Sequence, residues 1–167
     1  NGSGKKVWWL CFKKHEYNTS IAHRTDKKNP TRCPFCSNNK VSKDNNLEFL
    51  FPKISRQWHP SKNKKIKPNA IIPGSKKNYW WKCKLGHEYT TSPWQKTKKN
   101  KPIICPICSG RRVSKDNNLL KKFPKIGREW HDVKNEDRKP NEFTYGSHFD
   151  AWWKCKKGHE WKAQIKY

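Results

Sequence analysis

The sequence is short of apolar residues, and this shortage excludes whole classes of protein. Only 32% of the 167 residues are hydrophobic, against about 45–50% in an ordinary globular domain, so a single large core is excluded. No run approaches the ~18 apolar residues of a membrane-spanning helix. Composition this polar is typical of disordered chains. Ten tryptophans and seven cysteines in a fixed pattern instead favour small units stabilised by metal and aromatic clusters.

Acidic residues are the second shortage. Thirteen Asp and Glu residues stand against 39 Lys and Arg residues, which gives a formal net charge of +26. A chain with this balance repels itself and is expected to bind a polyanion, for which nucleic acid is the leading interpretation. An anionic membrane surface is the weaker alternative, because the sequence has no basic amphipathic helix to lie on it. We therefore expect a nucleic-acid partner and no membrane partner.

The chain repeats itself every 72 residues. Cys11, Cys83 and Cys155 are separated by this interval, and residues 41–47 recur unchanged at 113–119. About half of all positions agree between the first two units. The sequence therefore predicts a duplicated module followed by part of a third one.

Each unit arranges its segments in the same order. Residues 7–10 and 16–20 predict the two strands of a hairpin. Pro52 and Pro124 predict the first positions of short helices, because proline is well tolerated there. The stretch 60–73 is rich in Lys, Asn and Pro and predicts a linker between units. The fold class predicted from these segments is a tandem of small α+β modules.

Four metal-ligating side chains recur at one spacing. The order is Cys-x3-His, seventeen residues, then Cys-x2-Cys, and it occurs twice. Ligand pairs two or three residues apart lie on tight knuckles, and three thiolates with one imidazole suit Zn²⁺. The predicted ligands are Cys11, His15, Cys33 and Cys36, then Cys83, His87, Cys105 and Cys108, with Cys155 and His159 as an incomplete third pair. Metal-free buried cysteines and an iron–sulfur cluster are alternatives, disfavoured by the repetition and by the histidine respectively.

Residues beside the ligands also carry predictions. Gly86 and Gly158 precede ligand histidines at a position where the knuckle needs positive φ. Lys14 holds the same position in the first unit, which predicts a slightly strained knuckle. His59 and His131 follow a tryptophan and have no cysteine nearby in sequence. They are expected to be packing or surface residues rather than ligands.

Adjacent tryptophans recur two residues before the first cysteine of each unit. Neighbours on a strand point to opposite faces. One indole of each pair is expected to cover the zinc site and the other to contact the segment 52–58 or its equivalent. Stacking of the outward indole on a nucleic-acid base is an alternative to which we give less weight.

These motifs together resemble a known family. The order Trp-Trp-x-Cys-x-x-Gly-His-Glu, Cys-Pro-x-Cys-Ser and Pro-x5-Trp-His is similar to the tandem probable zinc-ribbon or treble-clef domain of giant viruses and some bacteria, sometimes found beside Vsr-like endonuclease domains. The resemblance covers nearly the whole chain and implies a small metal-stabilised fold with a role on nucleic acid. The eight Cys and His ligands of the first two units match the family's ligand positions, whereas the third unit matches only through its Cys–His pair.

The repeat predicts zinc module one at 1–72, module two at 73–144, and a truncated third module, the first hairpin only, at 145–167. Zn²⁺ is the expected cofactor, with two full sites and one incomplete site. If the period holds, a longer parent protein would carry another Cys-Pro-x-Cys 72 residues beyond Cys105. Without it, the third hairpin is expected to be poorly ordered or to be held only by packing of its tryptophans.

Basic residues recur at equivalent places in the first two units. A rigid repeated module with cations at fixed spacing suits the regular phosphate lattice of double-stranded DNA. The predicted contacts are Lys5, Arg24, Lys40, Lys43, Lys77, Lys96, Arg111, Arg112 and Lys115. Arg111, Arg112, Asn45 and Asn46 are candidates for base-specific contacts, although residues 44–46 equally predict a turn. Lysine-rich loops that merely follow genome composition are the alternative for any single lysine.

Two further functional classes remain open at this point. One is a virion or packaging component whose modules hold protein partners, and the other is binding of RNA. Catalysis is not expected, because each histidine of the repeated His-Glu pairs is assigned to metal and leaves no general base beside a metal-held water. The odd cysteine count and the metal spacing favour an intracellular, reducing compartment over a disulfide framework. That compartment would be the nucleus, or a viral factory or virion interior if the protein is viral.

Overall fold

Antiparallel hairpins supply the strands of the fold. The computed structural model describes residues 2–100 and 102–166, and the chain divides into two compact units, Asn1–Pro102 and Ile103–Tyr167. The strands are β1 (Lys6–Leu10) with β2 (Glu16–Ser20), β3 (Tyr79–Lys82) with β4 (Glu88–Thr91), and β5 (Asp150–Lys154) with β6 (Glu160–Gln164). The hairpin predicted in the first sequence repeat is confirmed to within one residue.

The helices are only four or five residues long. They are α1 (Ile21–Arg24), α2 (Leu47–Leu50), α3 (Pro52–Ser55), α4 (Pro93–Thr97), α5 (Leu119–Lys122) and α6 (Pro124–Gly127). Proline occupies the first turn of α3 and of α6, as predicted. Asn46 and Asn118 cap α2 and α5 through their side-chain oxygens. Within the described residues, no helix is long and apolar enough to cross a membrane.

In the first unit, the segment after α3 packs on the second hairpin. Trp58 forms an antiparallel bridge with Trp81, and its ring lies 4.8 Å from that of Tyr79 and 5.1 Å from that of Trp81. Trp81 is fully buried and Tyr89 is 1% exposed. The core of this unit therefore joins residues on both sides of position 72, the limit that the sequence repeat suggests for module one.

The second unit repeats this arrangement around its own hairpin. Trp130 bridges Trp153 and meets its ring edge-on at 5.6 Å. Phe143 and Phe149 stack on each other at 4.7 Å beside Trp130. The buried core consists of Leu119, Trp130, Ala151, Trp153 and Ile165. Packing of its tryptophans on the preceding segment therefore holds the third hairpin, which was one of the two outcomes expected.

The stretch 60–73 is not a free linker, and that prediction was wrong. The side chain of Asn63 bonds both backbone groups of Trp80, at 2.8 and 2.9 Å. The backbone N–H of Leu47 donates to the carbonyl of Ile71 at 2.7 Å, so residues 47–71 close on themselves. Lys and Pro content alone does not reveal such contacts, because a few buried amides are enough to order a polar segment.

Candidate metal centre

The first pair of predicted ligands lies on the turn that joins β1 to β2. The N–H of Cys11 donates to the His15 carbonyl at 3.1 Å, and the N–H of Lys14 donates to the Cys11 carbonyl at 2.8 Å. This tight knuckle requires positive φ at its fourth residue, where φ is 61° at Lys14 and 83° and 86° at Gly86 and Gly158. The positive φ predicted at the two glycines is confirmed, and Lys14 carries the strain that glycine avoids.

The second pair of ligands lies on a turn that a buried asparagine orders. The N–H of Ser37 donates to the Cys33 carbonyl at 3.0 Å. The Asn45 side chain, 7% exposed, donates to the carbonyls of Phe35 and Lys40 at 2.7 and 2.9 Å. In the second unit Asn117 makes the corresponding pair of bonds. These amides fix the loop that presents Cys33 and Cys36.

The four side chains of the first site converge on one point. His15 Nδ1 lies 3.5 Å from Cys11 Sγ, 3.7 Å from Cys33 Sγ and 3.4 Å from Cys36 Sγ, and the sulfurs of Cys11 and Cys36 are 3.7 Å apart. With Zn–S near 2.3 Å and Zn–N near 2.0 Å, a tetrahedral site has S–N edges of about 3.5 Å and S–S edges of about 3.8 Å. The measured separations therefore fit a tetrahedral zinc ion.

Asp44 orients the ligand histidine from behind. Its Oδ1 accepts from His15 Nε2 at 2.9 Å, which leaves the Nδ1 lone pair directed at the sulfurs. Ser42 donates to the same carboxylate, and Lys13 Nζ lies 3.8 Å from its other oxygen. A carboxylate behind a ligand histidine fixes the orientation of the ring and makes its other nitrogen a stronger ligand for metal. Sequence reasoning treated Asp44 only as part of a turn; its place in the unchanged 41–47 repeat was the available signal.

The proton affinities at this site also favour a cation. Desolvation opposes ionisation of Cys11, but hydrogen bonds from the His15 and Lys13 backbone and from the other thiols lower its pKa to about 7. Desolvation, together with the hydrogen bonds and charges of Cys11 and Cys33, raises the pKa of Cys36 to about 11. Three thiolates this close repel one another, and a central dication removes that repulsion.

For His15, desolvation acts to lower the pKa. The hydrogen bonds to Asp44 and to the thiols outweigh desolvation, so the pKa of His15 is raised. Asp44 has a pKa below its usual value, through its bond from Ser42 and then, against desolvation, through His15. The hydrogen bond between His15 and Asp44 therefore favours the charged form of each side chain.

The second set of predicted ligands, Cys83, His87, Cys105 and Cys108, has the donor types and the spacing of the first set. Within its first knuckle, Cys83 Sγ lies 3.5 Å from His87 Nδ1, as in the first site. The third pair builds the same knuckle, with a 3.0 Å bond from the N–H of Cys155 to the carbonyl of His159. Two Cys3His sets thus fit zinc, and the third knuckle contributes one Cys–His pair.

Comparison with known families agrees with this geometry. The family described as a probable treble-clef zinc finger domain matches residues 1–39, 54–111 and 126–167. The chain belongs to this family. Comparison with curated proteins finds no match. The middle match begins before Trp58 and ends after the second Cys-Pro-x-Cys, so the family domain includes the Trp-His segment that packs on β3.

His59 and His131 are packing residues, as predicted, and each contacts the glutamate that follows a ligand histidine. His59 is 5% exposed, and its Nε2 donates to Glu88 at 2.8 Å while its Nδ1 accepts from backbone N–H groups. His131 Nε2 lies 3.0 Å from Glu160. Hydrogen bonds from Lys62 and then His59 lower the pKa of Glu88 to about 2. Glu88 and Glu160 therefore join the knuckles of the second and third hairpins to the Trp-His segments.

The tryptophan pairs divide their roles only partly as expected. Trp81 and Trp153 contact Trp58 and Trp130, which confirms one half of the prediction. The ring found beside the ligand His15 is Phe35, at 5.2 Å. The outward indoles of Trp80 and Trp152 lie instead beneath the ammonium groups of Lys62 and Lys134, at 4.5 and 4.2 Å.

The predicted nucleic-acid contacts differ in exposure. Seven are exposed: Lys5, Lys40, Lys43, Lys77, Arg111, Arg112 and Lys115. Lys96 is 5% exposed, and its ammonium donates to Gln57 and Tyr89 at 2.9 and 2.7 Å over the Trp81 ring. Arg24, its counterpart in the first sequence repeat, is half-buried over Trp9 at 5.6 Å. Placing Lys96 on the binding face was wrong, because its ammonium is buried among Gln57, Tyr89 and Trp81. The contact expected at Arg24 stays a prediction.

The asparagines considered for base contacts are also unavailable. Asn45 and Asn46 are 7% and 6% exposed. Asn46 caps α2 with its oxygen and donates from its amide nitrogen to the carbonyls of Ser42 and Lys43 at 2.9 and 3.0 Å. Both side chains are committed inside the loop. Of the base-contact candidates, Arg111 and Arg112 remain exposed.

Proposed function

We propose that this protein binds double-stranded DNA through phosphate contacts made by the loop that follows each Cys-Pro-x-Cys turn. The observation that carries the proposal is the way the loop cations are held. Asn45 and Asn46 donate to the carbonyls of Lys40 and Lys43, and the Asn117 and Asn118 amides hold Arg112 and Lys115 in the same way. Exposed cations therefore project from a backbone that buried amides and a metal knuckle make rigid.

A fixed backbone favours phosphate binding because less loop entropy is lost on association. Phosphate contacts orient a protein on a duplex without reading sequence. With Asn45 and Asn46 buried, the loop has few groups for base edges, so we expect weak sequence preference. The acids that could compensate these cations are used elsewhere, since Asp44 contacts His15 and Glu88 contacts Lys62.

Binding rather than catalysis is the activity that we propose. The glutamates of the second and third His-Glu pairs are engaged by His59 and Lys62 and by His131 and Lys134. A carboxylate held low in pKa by two cationic or donor groups is a poor general base near neutral pH. This supports a structural role for these glutamates.

The test compares two quadruple variants in salt titrations of binding to a short DNA duplex. The loop variant replaces Lys40, Lys43, Arg112 and Lys115 by Gln. The control variant replaces four other exposed lysines of the same total charge, Lys27, Lys28, Lys65 and Lys67. Since each phosphate contact contributes about 0.9 to the log–log slope, the loop variant should lose roughly three to four units of slope at unchanged zinc content.

The control variant should lose clearly less slope than the loop variant. Equal losses would mean that charge acts without a defined face, which contradicts the proposal. RNA of the same length is the second titrant, and tighter binding to RNA would replace DNA by RNA as the ligand. Undetectable binding to either polyanion at low salt would favour the alternative of a component that holds protein partners.

A further inference from the structure

The outer edge of β1 lacks a covering that the other two hairpins have. On β3, the Trp-His segment adds as a short third strand: the N–H of His59 donates to the Trp80 carbonyl at 3.1 Å and the N–H of Lys82 donates to the Gln57 carbonyl at 2.7 Å. On β5, residues 129–131 make the same two bonds, at 3.0 and 2.6 Å. The segment thus extends each hairpin in one fixed register.

The first hairpin has the same register and exposes the same edge. Trp8 pairs with Asn18 as Trp80 pairs with Thr90, so the backbone groups of Trp8 point to the outer edge of β1. Among the bonds of the described residues 2–100 and 102–166, none joins that edge to a third strand. The Trp8 indole is 73% exposed, against 37% for Trp80. Trp9 is half-buried, whereas Trp81 is fully buried.

A buried donor at this edge also lacks its counterpart's partner. The Lys96 ammonium donates to Gln57 of the Trp-His segment. Arg24 stands at the equivalent position, and its Nε is buried without a hydrogen-bond partner among the described residues. A buried unsatisfied donor costs its desolvation free energy, which is larger than the net gain from a typical hydrogen bond. A Gln or Glu placed like Gln57 would satisfy it.

The acid that receives the segment's histidine is present as well. Glu16 occupies the place of Glu88 and is exposed. Glu88 accepts from His59 and pairs with Lys62, and Glu160 lies beside His131 and Lys134. The first hairpin therefore offers an edge strand, two indoles and a carboxylate in the arrangement that binds a Trp-His segment twice elsewhere in the chain. It also offers a buried donor at the place of Lys96, which Gln57 satisfies on the second hairpin.

We propose that the outer edge of β1 is a docking site for a further Trp-His segment, of the pattern Gln/Glu-Trp-His-x3-Asn, that adds as a third strand. The main-chain bonds give the register, the Trp ring packs on Val7 and Trp9, and the His binds Glu16. The Gln or Glu accepts from Arg24, and the Asn clamps the backbone of Trp8. This is strand addition to an exposed sheet edge with side-chain pockets for specificity, and it does not depend on DNA binding.

The probe is a synthetic peptide of residues 45–72, which contains the segment and closes through the Leu47–Ile71 bond. It is titrated into the zinc-loaded, isotope-labelled protein and followed by NMR. We expect saturable shifts of the Trp8 indole, the Leu10 amide and the Arg24 side chain. Trp58→Ala in the peptide and Glu16→Gln in the protein should each weaken binding about tenfold or more. The matched control is Glu48→Gln in the protein, which removes an exposed acid on α2. This change should leave binding of the peptide unchanged.

A second experiment avoids dependence on the peptide's own folding. A chain with residues 45–72 inserted directly before Asn1 places the segment in the register that 45–72 has before Pro73. Exchange of the Leu10 amide should slow at least about tenfold, with Trp58→Ala in the inserted segment as control. The proposal is overturned if exchange of Leu10 is unchanged, or if peptide shifts appear only at β3 or β5 through displacement. It is also overturned if an oligonucleotide, and not the peptide, shifts Trp8.

Discussion

The first and third hairpins are stabilised in two different ways. The first has a complete Cys3His set but a bare outer edge, with Trp8 73% exposed. The third has its edge covered by Trp130 and its core closed around Trp153, but it carries only Cys155 and His159 as ligands. The fold therefore uses two separable devices. A metal ion stabilises the knuckle of a hairpin, and an aromatic segment stabilises the outer strand of that hairpin.

The largest effect should come from removing the metal. Structural zinc contributes on the order of 10 kcal/mol to the folding of small fingers. A strong chelator should therefore unfold the first hairpin and its knuckles, while β5 and β6 keep their packing on Trp130. NMR signals of the Trp9 and Trp153 indoles report the two hairpins separately. Added zinc should restore the first set, and loss of both sets together would contradict independent devices.

The aromatic device should fail in the third hairpin when its anchor is removed. Trp130 is 6% exposed, and truncation of a buried aromatic to Ala destabilises by about 3–5 kcal/mol. We expect Trp130→Ala to lower the protection of the β5 and β6 amides from hydrogen exchange. The matched control is Trp8→Ala, which should change stability by no more than about 0.5 kcal/mol. Similar losses in both variants would mean that Trp8 is also packed against other residues, which contradicts an uncovered edge at β1.

The metal device should weaken, without collapse, when its second layer is changed. Asp44→Asn keeps the shape but loses the carboxylate behind His15, so zinc affinity of the first site should fall about 10- to 100-fold. Competition with a zinc-binding dye measures this loss. Asp26→Asn is the control, since the Asp26 carboxylate accepts from the backbone N–H groups of Lys28 and Asn29 in a loop that supplies no ligand. An unchanged affinity in Asp44→Asn would show that His15 needs no orientation.

The smallest effect concerns the strained knuckle of the first hairpin. Lys14 holds φ at 61° where Gly86 and Gly158 stand in the other two. Lys14→Gly should stabilise the zinc-bound protein by about 0.5–1 kcal/mol, because relief of the left-handed backbone exceeds the added entropy of the unfolded chain. Gly86→Ala should act in the opposite direction. Thermal unfolding at fixed free zinc measures both, and a lower melting temperature for Lys14→Gly would contradict the strain.

Ligand spacing and strand alternation were enough to predict the hairpins, the knuckles and the ligand sets, because these features are local in sequence. The packing of Trp58 on Trp81 was predicted only as a general contact of one indole with that segment. A 72-residue period fixes how often the unit recurs but not where it starts, so the assignment of 60–73 as a linker hid its docking on the following hairpin.

Side-chain environments were the harder part. A lysine at the position of Lys96 looks like a surface cation in sequence, although its stem and ammonium pack among Trp81, Tyr89 and Gln57. Asp44 and Asn45 look like turn residues, and they also serve as partners of the metal knuckles. In both cases the deciding contacts lie seven or more residues away in sequence, which composition and period cannot reveal.

The number of bound zinc ions is the most direct test of the two Cys3His sites. Native mass spectrometry after removal of loosely bound metal should find two zinc ions in the unmodified chain. Cys36→Ser should hold one zinc ion, and Cys155→Ser should still hold two. A chain that retains fewer than two zinc ions, or that loses one on replacement of Cys155, would contradict the assignment of two complete Cys3His sites and one open knuckle.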